Sequence, residues 1–395
     1  MRWRQAIARV ACLIFLIEMN IGITVYPTYG GSGIVGSELG KELAERGHTV
    51  HFISSALPTR LTELSERVRF HEVEMMSYPL FEHQPYTLAL ATKMAEVAET
   101  ENLDLLHVHY AIPHSISAIL ARESLKPNRY LPVITTLHGT DITLVGADRS
   151  YLPITRYGIV QSDGVTAISH YLKDATREIF QFDDTTVIPN FVCQTDYMRH
   201  SVPALRRQLA PHSEGLLVHV SNFRPVKRPV DCVEILARVL GRGANARLVM
   251  VGDGSERTNC EHRARCLGIY DKCVFVGKQP KIVDYLSAGD VLLLPSEQES
   301  FGLAALEAMA CEVPVIASCV GGVPEVVTDG ETGYLSNVGD VEKMAVDAAR
   351  LLTDADLRTD MGKRARESAI SRYRTDIVIP QYLDFYQQVL SRHKN

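Results

Sequence analysis

The chain has 395 residues, of which 46% are hydrophobic and 22% are charged. This length exceeds that of most single domains, so we expect two domains with large buried cores. The formal net charge of -6 excludes a general attraction to nucleic acid or to an anionic membrane. The eight cysteines are scattered rather than clustered as in a disulfide framework, which favours a reducing, cytoplasmic location.

Residues 1–18 resemble a signal peptide superficially, because three arginines precede a short apolar run at residues 10–17. The run is too short to span a bilayer, and no A-x-A cleavage site follows it. We interpret these residues as an N-terminal extension or a misplaced start, with Met19 as the natural first residue. A targeting segment remains an open alternative.

From Met19 onward, short aliphatic runs alternate with amphipathic stretches, which is typical of parallel sheets covered by helices on both faces. Strands are predicted in a first series at 21–26, 49–54, 105–109, 133–137 and 164–168, and in a second series at 216–220, 247–251, 274–276, 291–294 and 314–317. We therefore predict an α/β protein with two facing Rossmann-like domains and a cleft between them. The domains are residues 19–187 and 188–374, and residues 375–395 form a helix that packs back on the first.

A glycine-rich loop containing Gly31, Ser32 and Gly33 follows the first predicted strand and opens a helix. Glycines allow close approach of a ligand to the backbone, and a helix N-terminus attracts an anion. A phosphate or carboxylate fits such a loop. The sequence lacks the GxGxxG spacing and the Walker lysine, so a plain tight turn is the alternative.

Two further loops carry charged residues after strands of the second domain. Arg224, Lys227 and Arg228 follow its first strand and can neutralise a diphosphate, with a solvated basic turn as the alternative. Glu299 precedes a helix, and Glu307 lies about two turns inside it among apolar residues. Carboxylates suit sugar and ribose hydroxyls, because each accepts two hydrogen bonds.

The paired glutamates, the Arg-Pro-x-Lys turn at 224–227 and the Gly-Gly-Val-Pro-Glu loop at 321–325 resemble family 4 retaining glycosyltransferases, over nearly the whole chain from Met19. The resemblance implies the GT-B fold, metal-independent catalysis without a cofactor, and a nucleotide-sugar held by the second domain. It implies that Glu307 holds the ribose and Glu299 the donor sugar. The diphosphate would be held by Arg224 with Lys227 or Arg228. The resemblance further implies donor contacts from Gly31, Gly33, Gly277, Lys278, Ser300, Phe301, Gly302 and Leu303.

Polar segments at 107–114 and 135–143 also follow strands of the first domain. With residues 26–33 and 154–163, they resemble the branch of this family that joins N-acetylglucosamine from UDP-GlcNAc to the hydroxyl of L-malate, the first step of bacillithiol biosynthesis. This resemblance implies that Ser32, Tyr110, Thr136 and Arg156 bind the acceptor carboxylates. It places His138 near the donor sugar, so the expected catalytic residues are Arg224, Lys227, Glu299 and His138.

Several alternatives stay open at the level of sequence. A related transferase for inositol phosphate, lipid or polysaccharide acceptors has the same fold, and so does a non-catalytic nucleotide-sugar sensor. We interpret Asp354 and Asp356 as a helix start rather than a D-x-D metal site. We also expect no zinc at Cys260, His262, Cys266 and Cys273, which lack a CxxC spacing. The oligomeric state is open, with a homodimer as one option.

Overall fold

The computed structural model describes residues 18–28, 30–61, 64–75 and 83–393. All of the N-terminal extension except Glu18 therefore lies outside the described residues. The chain clusters into two compact units. The first unit comprises residues 1–166, 179–185 and 382–395, and the second comprises residues 167–178 and 186–381.

The first half of the chain builds a seven-stranded sheet with the order β3-β2-β1-β4-β5-β6-β7. Its strands are β1 (Asn20–Thr24), β2 (Thr49–Ser54), β3 (Val68–Glu72), β4 (Leu105–His109), β5 (Val133–Leu137), β6 (Gly164–Ala167) and β7 (Thr186–Val187). The helices are α1 (Gly31–Glu45), α2 (Tyr86–Thr100), α3 (Ile116–Leu125), α4 (Leu152–Val160) and α5 (His170–Phe180). Strands β1, β2, β4 and β5 are almost fully buried, which explains why aliphatic residues occur on both faces of each strand.

The second half builds a six-stranded sheet with the order β10-β9-β8-β11-β12-β13. Its strands are β8 (Gly215–Val220), β9 (Ala246–Val251), β10 (Cys273–Gly277), β11 (Val291–Leu294), β12 (Val315–Ser318) and β13 (Gly333–Ser336). The helices are α6 (Pro203–Leu209), α7 (Pro229–Gly241), α8 (Arg257–Cys266), α9 (Ile282–Ala288), α10 (Leu303–Ala310), α11 (Val323–Val326), α12 (Val341–Thr353), α13 (Ala355–Tyr373) and α14 (Thr375–Ser391).

Both sheets reverse their strand order at one point, between β1 and β4 in the first and between β8 and β11 in the second. Ligands of open α/β sheets bind at the carboxyl ends of the strands beside such a reversal. The loops that follow β1, β4, β8 and β11 are therefore the loops that each fold offers to a ligand. The prediction of two Rossmann-like α/β folds is confirmed.

The final helix α14 contributes residues to both units. Its C-terminal part belongs to the first unit, where the Tyr386 hydroxyl lies 2.7 Å from Nδ1 of His107. Tyr382 and Tyr386 are both fully buried and their rings lie beside that of His107. This part of α14 therefore completes the core of the first unit.

Helix α5 differs from the expected division, because most of it clusters with the second unit although it lies before residue 187. The Glu325 carboxylate accepts hydrogen bonds from the backbone N–H groups of His170 and Tyr171 at 2.9 and 2.8 Å. The Ser169 hydroxyl donates to the Ser300 carbonyl at 2.6 Å. These bonds cap the helix N-terminus with residues of the second unit.

No helix among the described residues is both long enough and apolar enough to cross a membrane.

Candidate active site

The most direct contact among the predicted site residues joins Lys227 and Glu299 in the second unit. The ammonium Nζ of Lys227 lies 2.6 Å from Oε1 of Glu299. The Ser296 hydroxyl donates to the same oxygen at 2.9 Å. Among the described contacts both donors bond to Oε1 of Glu299.

The loops that carry this pair follow β8 and β11, on the two sides of the strand reversal. Their backbones are joined directly, since the N–H of Glu297 donates to the Val226 carbonyl at 2.8 Å. A short 3-10 turn, Pro225–Lys227, fixes the basic segment, and Arg228 follows it in the left-handed conformation with φ of 47°. A cation and a carboxylate are thus held together by backbone structure rather than by flexible side chains alone.

The other two predicted basic residues lie in different environments. Arg228 is half-buried and pairs with Asp231 at 2.7 Å, which turns its Nε toward the first turn of α7. Arg224 is exposed and caps the 3-10 turn. Lys227 is therefore the cation that the structure brings to Glu299, whereas the side chain of Arg224 lies at the surface.

Glycines in the loop after β12 support the Glu299 loop by close backbone contact. Gly321 has a φ of +55°, and a Cβ there would lie 1.8 Å from the Glu299 carbonyl oxygen. The N–H of Gly322 donates to that carbonyl at 2.9 Å. Only glycine allows this approach, so the Gly-Gly pair of the sequence motif fixes the backbone of Glu299.

Glu307 lies on α10 and is almost fully buried, with 4% of its surface exposed. The hydroxyl of Tyr197, itself buried, donates to Glu307 Oε1 at 2.6 Å. A buried carboxylate needs such a donor, because desolvation without a partner is costly. Tyr197 therefore orients the carboxylate, and nothing in the sequence pattern singled it out.

The remaining predicted donor residues surround these carboxylates or end a neighbouring strand. Gly302 precedes α10 in the left-handed conformation, Phe301 is buried edge-on against Tyr373, and Leu303 begins the helix. The Ser300 carbonyl is the acceptor for Ser169 described above. Gly277 ends β10 with φ of +71° and is followed by the exposed Lys278.

In the first unit, the predicted glycine-rich loop leads from β1 into α1. Gly31 begins the helix, and Ser32 and Gly33 are buried in its first turn. A Cβ on Gly33 would lie 2.5 Å from the Tyr26 carbonyl and 2.7 Å from the Thr28 carbonyl. The close approach of helix and loop thus requires glycine at this position, and it leaves the helix N-terminus able to receive an anion.

Buried histidines lie at the end of β4 and in the loops after β4 and β5. Nδ1 of His109 lies 2.7 Å from Nε2 of His138, and Nδ1 of His114 donates to the His109 carbonyl at 2.6 Å. Burial lowers the pKa of His138 to about 3 and that of His114 to about 4. His138 is therefore a neutral imidazole near neutral pH.

Asp141 holds the two loops together. Its buried carboxylate accepts hydrogen bonds from the backbone N–H groups of Ala111, His138 and Gly139 at 2.9, 3.1 and 2.9 Å. Burial raises the pKa of this carboxyl to about 6, and the three backbone donors act against that shift. Asp141 therefore fixes the backbone of His138, a role that motif reading did not assign to it.

Tyr110 directly follows β4 in an unusual backbone conformation, with φ of 92°. Its N–H donates to the Thr136 carbonyl at 2.9 Å, and its ring lies 5.2 Å from that of Tyr26 and 5.4 Å from that of His138. Positive φ is costly for a side chain of this size and is typical of functional sites. Tyr110 and His138 are thus brought together as predicted acceptor and donor residues.

Thr136 and Arg156 were both predicted to bind the acceptor carboxylates, and each uses side-chain groups in contacts within the first unit. The Thr136 hydroxyl is fully buried, 2.7 Å from His107 Nε2 and 2.6 Å from the Thr166 hydroxyl, so it faces the interior of the unit. Arg156 is exposed on α4, and its Nε donates to the Phe180 carbonyl at 2.9 Å. Because Nε is already used, the terminal Nη atoms are the part of this guanidinium that can donate hydrogen bonds to a carboxylate.

Comparisons with known proteins identify the family to which this chain belongs. Residues 29–194 match the family model described as Glycosyltransferase Family 4, and residues 202–368 match the model described as Glycosyl transferases group 1. The chain is 47% identical over 381 residues to N-acetyl-alpha-D-glucosaminyl L-malate synthase of Bacillus anthracis, covering 96% of this chain and 99% of that protein. This chain is a family 4 glycosyltransferase.

Other similar proteins show how broadly the fold is used. This glycosyltransferase is 30% identical to D-inositol 3-phosphate glycosyltransferase of Kribbella flavida, over 86% of each chain. The solved structure of Anabaena HepE in complex with UDP and glucose has a TM-score of 0.80 at 20% identity, covering 94% of this chain and all of that one. Sucrose-phosphate synthase from Thermosynechococcus elongatus has a TM-score of 0.77 at 23% identity, covering 95% and 100% of the two chains. At such identities the structural likeness shows the GT-B fold alone.

The two discounted metal motifs of this glycosyltransferase have structural explanations. Asp354 caps α13, because its carboxylate accepts from the Leu357 N–H at 2.9 Å. This confirms the helix-start interpretation of that segment. Cys260 and Cys273 are buried in the core cluster of the second unit, whereas Cys266 is exposed on α8.

Proposed function

We propose that this glycosyltransferase transfers N-acetylglucosamine from UDP-GlcNAc to the hydroxyl of L-malate, releasing UDP, as the first step of bacillithiol biosynthesis. The observation that carries the proposal is the 47% identity to the Bacillus anthracis L-malate synthase over almost the full length of both proteins. The two matching family models support the same reaction class.

The second unit supplies the donor-binding groups in this proposal. Glu307, oriented by Tyr197, accepts hydrogen bonds from the ribose hydroxyls, and Oε2 of Glu299 accepts one from the sugar. Lys227 lies beside Glu299, and together with Arg224 it donates charge-assisted hydrogen bonds to the diphosphate. Negative charge grows on the diphosphate as the donor bond breaks, so a fixed cation stabilises the transition state more than the ground state.

We propose that the reaction proceeds on one face of the sugar. The bond between the anomeric carbon and the phosphate oxygen breaks, and its electron pair leaves with UDP. The malate hydroxyl oxygen forms the new bond to that carbon, and its proton passes to the departing phosphate oxygen. Retention of configuration follows without an enzyme nucleophile. Because Lys227 and Arg224 supply positive charge, we propose that this chemistry needs no metal ion, and chelation should leave kcat unchanged.

The first unit supplies the acceptor-binding groups in this proposal. The buried first turn of α1, with Ser32 and Gly33, presents N–H groups and a positive helix end to an anion. Tyr110 adds a hydroxyl beside His138, and the Nη atoms of Arg156 add a fork that matches a carboxylate. Thr136 contributes by holding Tyr110 and His107, since its own hydroxyl is buried.

A second candidate acceptor is an inositol phosphate, which the 30% identity to the Kribbella flavida enzyme favours. A phosphomonoester carries nearly two negative charges and is usually held by several cations. The loops at residues 110–115 and 138–145 contain neither lysine nor arginine. This composition favours a carboxylate acceptor over a phosphate.

The deciding experiment measures UDP release from UDP-GlcNAc with L-malate, D-malate, inositol phosphate or no acceptor, and identifies the product by mass. We expect release with L-malate and a product of the mass of N-acetylglucosaminyl malate. Arg156→Ala should raise the KM for L-malate at least tenfold. Arg149→Ala, which removes another exposed arginine near α4, is the matched control and should leave that KM unchanged.

Two outcomes contradict the proposal. Release that is equal with every acceptor would show that the acceptor loops do not select malate. Release with inositol phosphate alone would establish the second candidate.

We propose a cytoplasmic location for the enzyme. The described cysteines, seven in all, are free, four of them being buried. Free thiols of this number are typical of a reducing compartment, where the sugar nucleotide is also expected.

A further inference from the structure

A cluster of potential metal ligands lies in the first unit, outside every loop discussed above. His51 on β2, His71 on β3 and Glu101 at the end of α2 bring one ligand atom each to within 4.8 Å of one another. Nδ1 of His51 lies 3.0 Å from Nε2 of His71, and the two rings are stacked. Within the described part of the chain, these residues form the one group of three such side chains that comes together.

The strand pairing explains why these side chains meet. In the parallel register of β2 and β3, His51 lies opposite Arg69, and Ile53 lies opposite His71. Residues two apart along a strand share one face, so both histidines lie on the face that carries Ile53. Ile53 packs against α2 in the core of the first unit, and Glu101 is the C-cap of that helix. Three separate elements therefore contribute to the cluster.

We propose that His51, His71 and Glu101 form a structural site for a divalent transition metal ion, with Zn²⁺ as the best match. Two imidazoles and one carboxylate are a ligand set that zinc accepts, with water in the fourth position. Zinc–nitrogen bonds of about 2.0–2.1 Å place two imidazole nitrogens roughly 3.3 Å apart in a tetrahedral site. The observed 3.0 Å separation thus needs only a small expansion.

The protonation and charge of the cluster suit this role. Burial lowers the pKa of His51 to about 4, so its ring is neutral and carries a lone pair near neutral pH. Arg69 holds Oε2 of Glu101 at 2.6 Å, and the carboxylate has a second oxygen for a metal ion. The guanidinium then orients the ligand from outside, as carboxylates do for zinc-bound histidines.

The ion would stabilise a vulnerable part of the sheet. Strand β3 is at the edge of the seven-stranded sheet, where no strand of the described residues pairs with its outer side. An ion bound by β2, β3 and the end of α2 would hold this edge strand to the core. Metal bound only by the folded state raises stability by mass action.

The test uses tag-free protein, stripped with a chelator and then equilibrated with Zn²⁺, with bound metal counted by mass spectrometry. We expect about one ion per chain and a higher melting temperature with zinc. His71→Gln and Glu101→Gln should each lose this uptake and the zinc-dependent rise. Both positions are only half-buried, and glutamine retains hydrogen-bonding groups at each of them, so the variants should fold. Unchanged UDP release in both variants verifies folding.

A matched control separates this cluster from the exposed Cys266, whose sulfur lies 3.8 Å from the ring nitrogens of His262. Cys266→Ser should bind zinc as the unaltered protein does. Bound Co²⁺ should give the visible bands of nitrogen and oxygen ligands without thiolate charge transfer. No uptake by the unaltered protein, or uptake that survives in both glutamine variants, would overturn the site. Loss of uptake in Cys266→Ser would overturn it as well.

Discussion

Lys227 and Glu299 form an ion pair in which the ammonium lies 2.6 Å from the carboxylate oxygen that also accepts the Ser296 hydroxyl. Both side chains are largely shielded, with 23% and 11% of their surfaces exposed. The pair therefore holds two oppositely charged ligand-binding groups in place before any ligand arrives. Such prior positioning lowers the reorganisation that the reaction would otherwise require.

Replacing Lys227 with methionine should lower kcat by about 100- to 1,000-fold, the range seen when one fixed donor to a developing negative charge is lost. Methionine retains much of the length and removes the charge. Steady-state rates of UDP release at saturating donor and acceptor measure the effect. Lys363→Met removes an exposed lysine of α13 and is the control, for which we expect no change. A Lys227→Met enzyme with the original kcat would show that this lysine does not act on the leaving group.

Replacing Tyr197 with phenylalanine removes the hydroxyl that donates to Glu307. A hydrogen bond to a charged group contributes about 1.5–3 kcal/mol, so we expect the KM for UDP-GlcNAc to rise about tenfold or more. The value of kcat should change little, because the ribose is remote from the reacting carbon. The partly exposed Tyr270→Phe is the control. If kcat falls and KM does not, Glu307 acts on the transition state rather than in donor binding.

Alanine at Gly33 should reduce both activity and stability, because its Cβ would lie 2.5 Å and 2.7 Å from two backbone carbonyl oxygens. Overpacking of this kind costs about 1–3 kcal/mol. Gly30→Ala is a matched control three residues earlier, where the nearest atom to the added Cβ is the Thr28 hydroxyl at 3.5 Å. Melting temperatures and UDP release of the two variants make the comparison. Equal effects would mean that the loop tolerates displacement.

Stability should fall as the pH drops from 7 to 5. Burial lowers the pKa values of His107 and His138 to about 3 and that of His114 to about 4, and it lowers the pKa of His109 well below its ordinary value. Below pH 6.5 the unfolded chain therefore binds more protons than the folded one. Each such proton contributes a slope of about 1.4 kcal/mol per pH unit. Asp141, with its pKa raised to about 6, has the opposite effect on stability, but it is a single group and the four histidines outweigh it.

Melting temperatures between pH 7 and pH 5 measure this slope. His114→Asn should make the slope shallower, because asparagine retains a donor for the His109 carbonyl but does not titrate. His170→Asn removes an exposed histidine and should leave the slope unchanged. A melting temperature that rises on acidification would contradict the assignment of neutral buried histidines.

Much of the fold could be predicted because buried parallel strands are rich in aliphatic and β-branched residues. The predicted strands at 49–54, 105–109, 133–137 and 291–294 coincide with β2, β4, β5 and β11, and the other predicted strands differ from the structure by one or two residues at their ends. Strand β3 was not predicted, because its sequence, Val-Arg-Phe-His-Glu, is half polar. Strands β7 and β13 were not predicted either. Strand β13 is short and contains only two large apolar residues, and β7 is only two residues long.

Only those site residues that belong to a recognisable loop motif could be predicted from the sequence. The lysine and glutamate of the second unit come from two motifs, and their contact needed the three-dimensional structure. Tyr197 lies more than a hundred residues from Glu307 in sequence and in no motif, so only folding brings them together. Whether Thr136 points outward or inward depends on strand register, which a short apolar run does not fix.

The contact between His107 and Tyr386 spans 279 positions of the chain. During synthesis, the first unit would therefore emerge before the final helix is made. His107 and the apolar surface around it would stay uncovered until that helix packs against them. Its core becomes complete only when almost the whole chain has been made. A chain shortened before residue 382 should thus have a first unit with an incomplete core, and such truncated products would be substrates for chaperones or proteases.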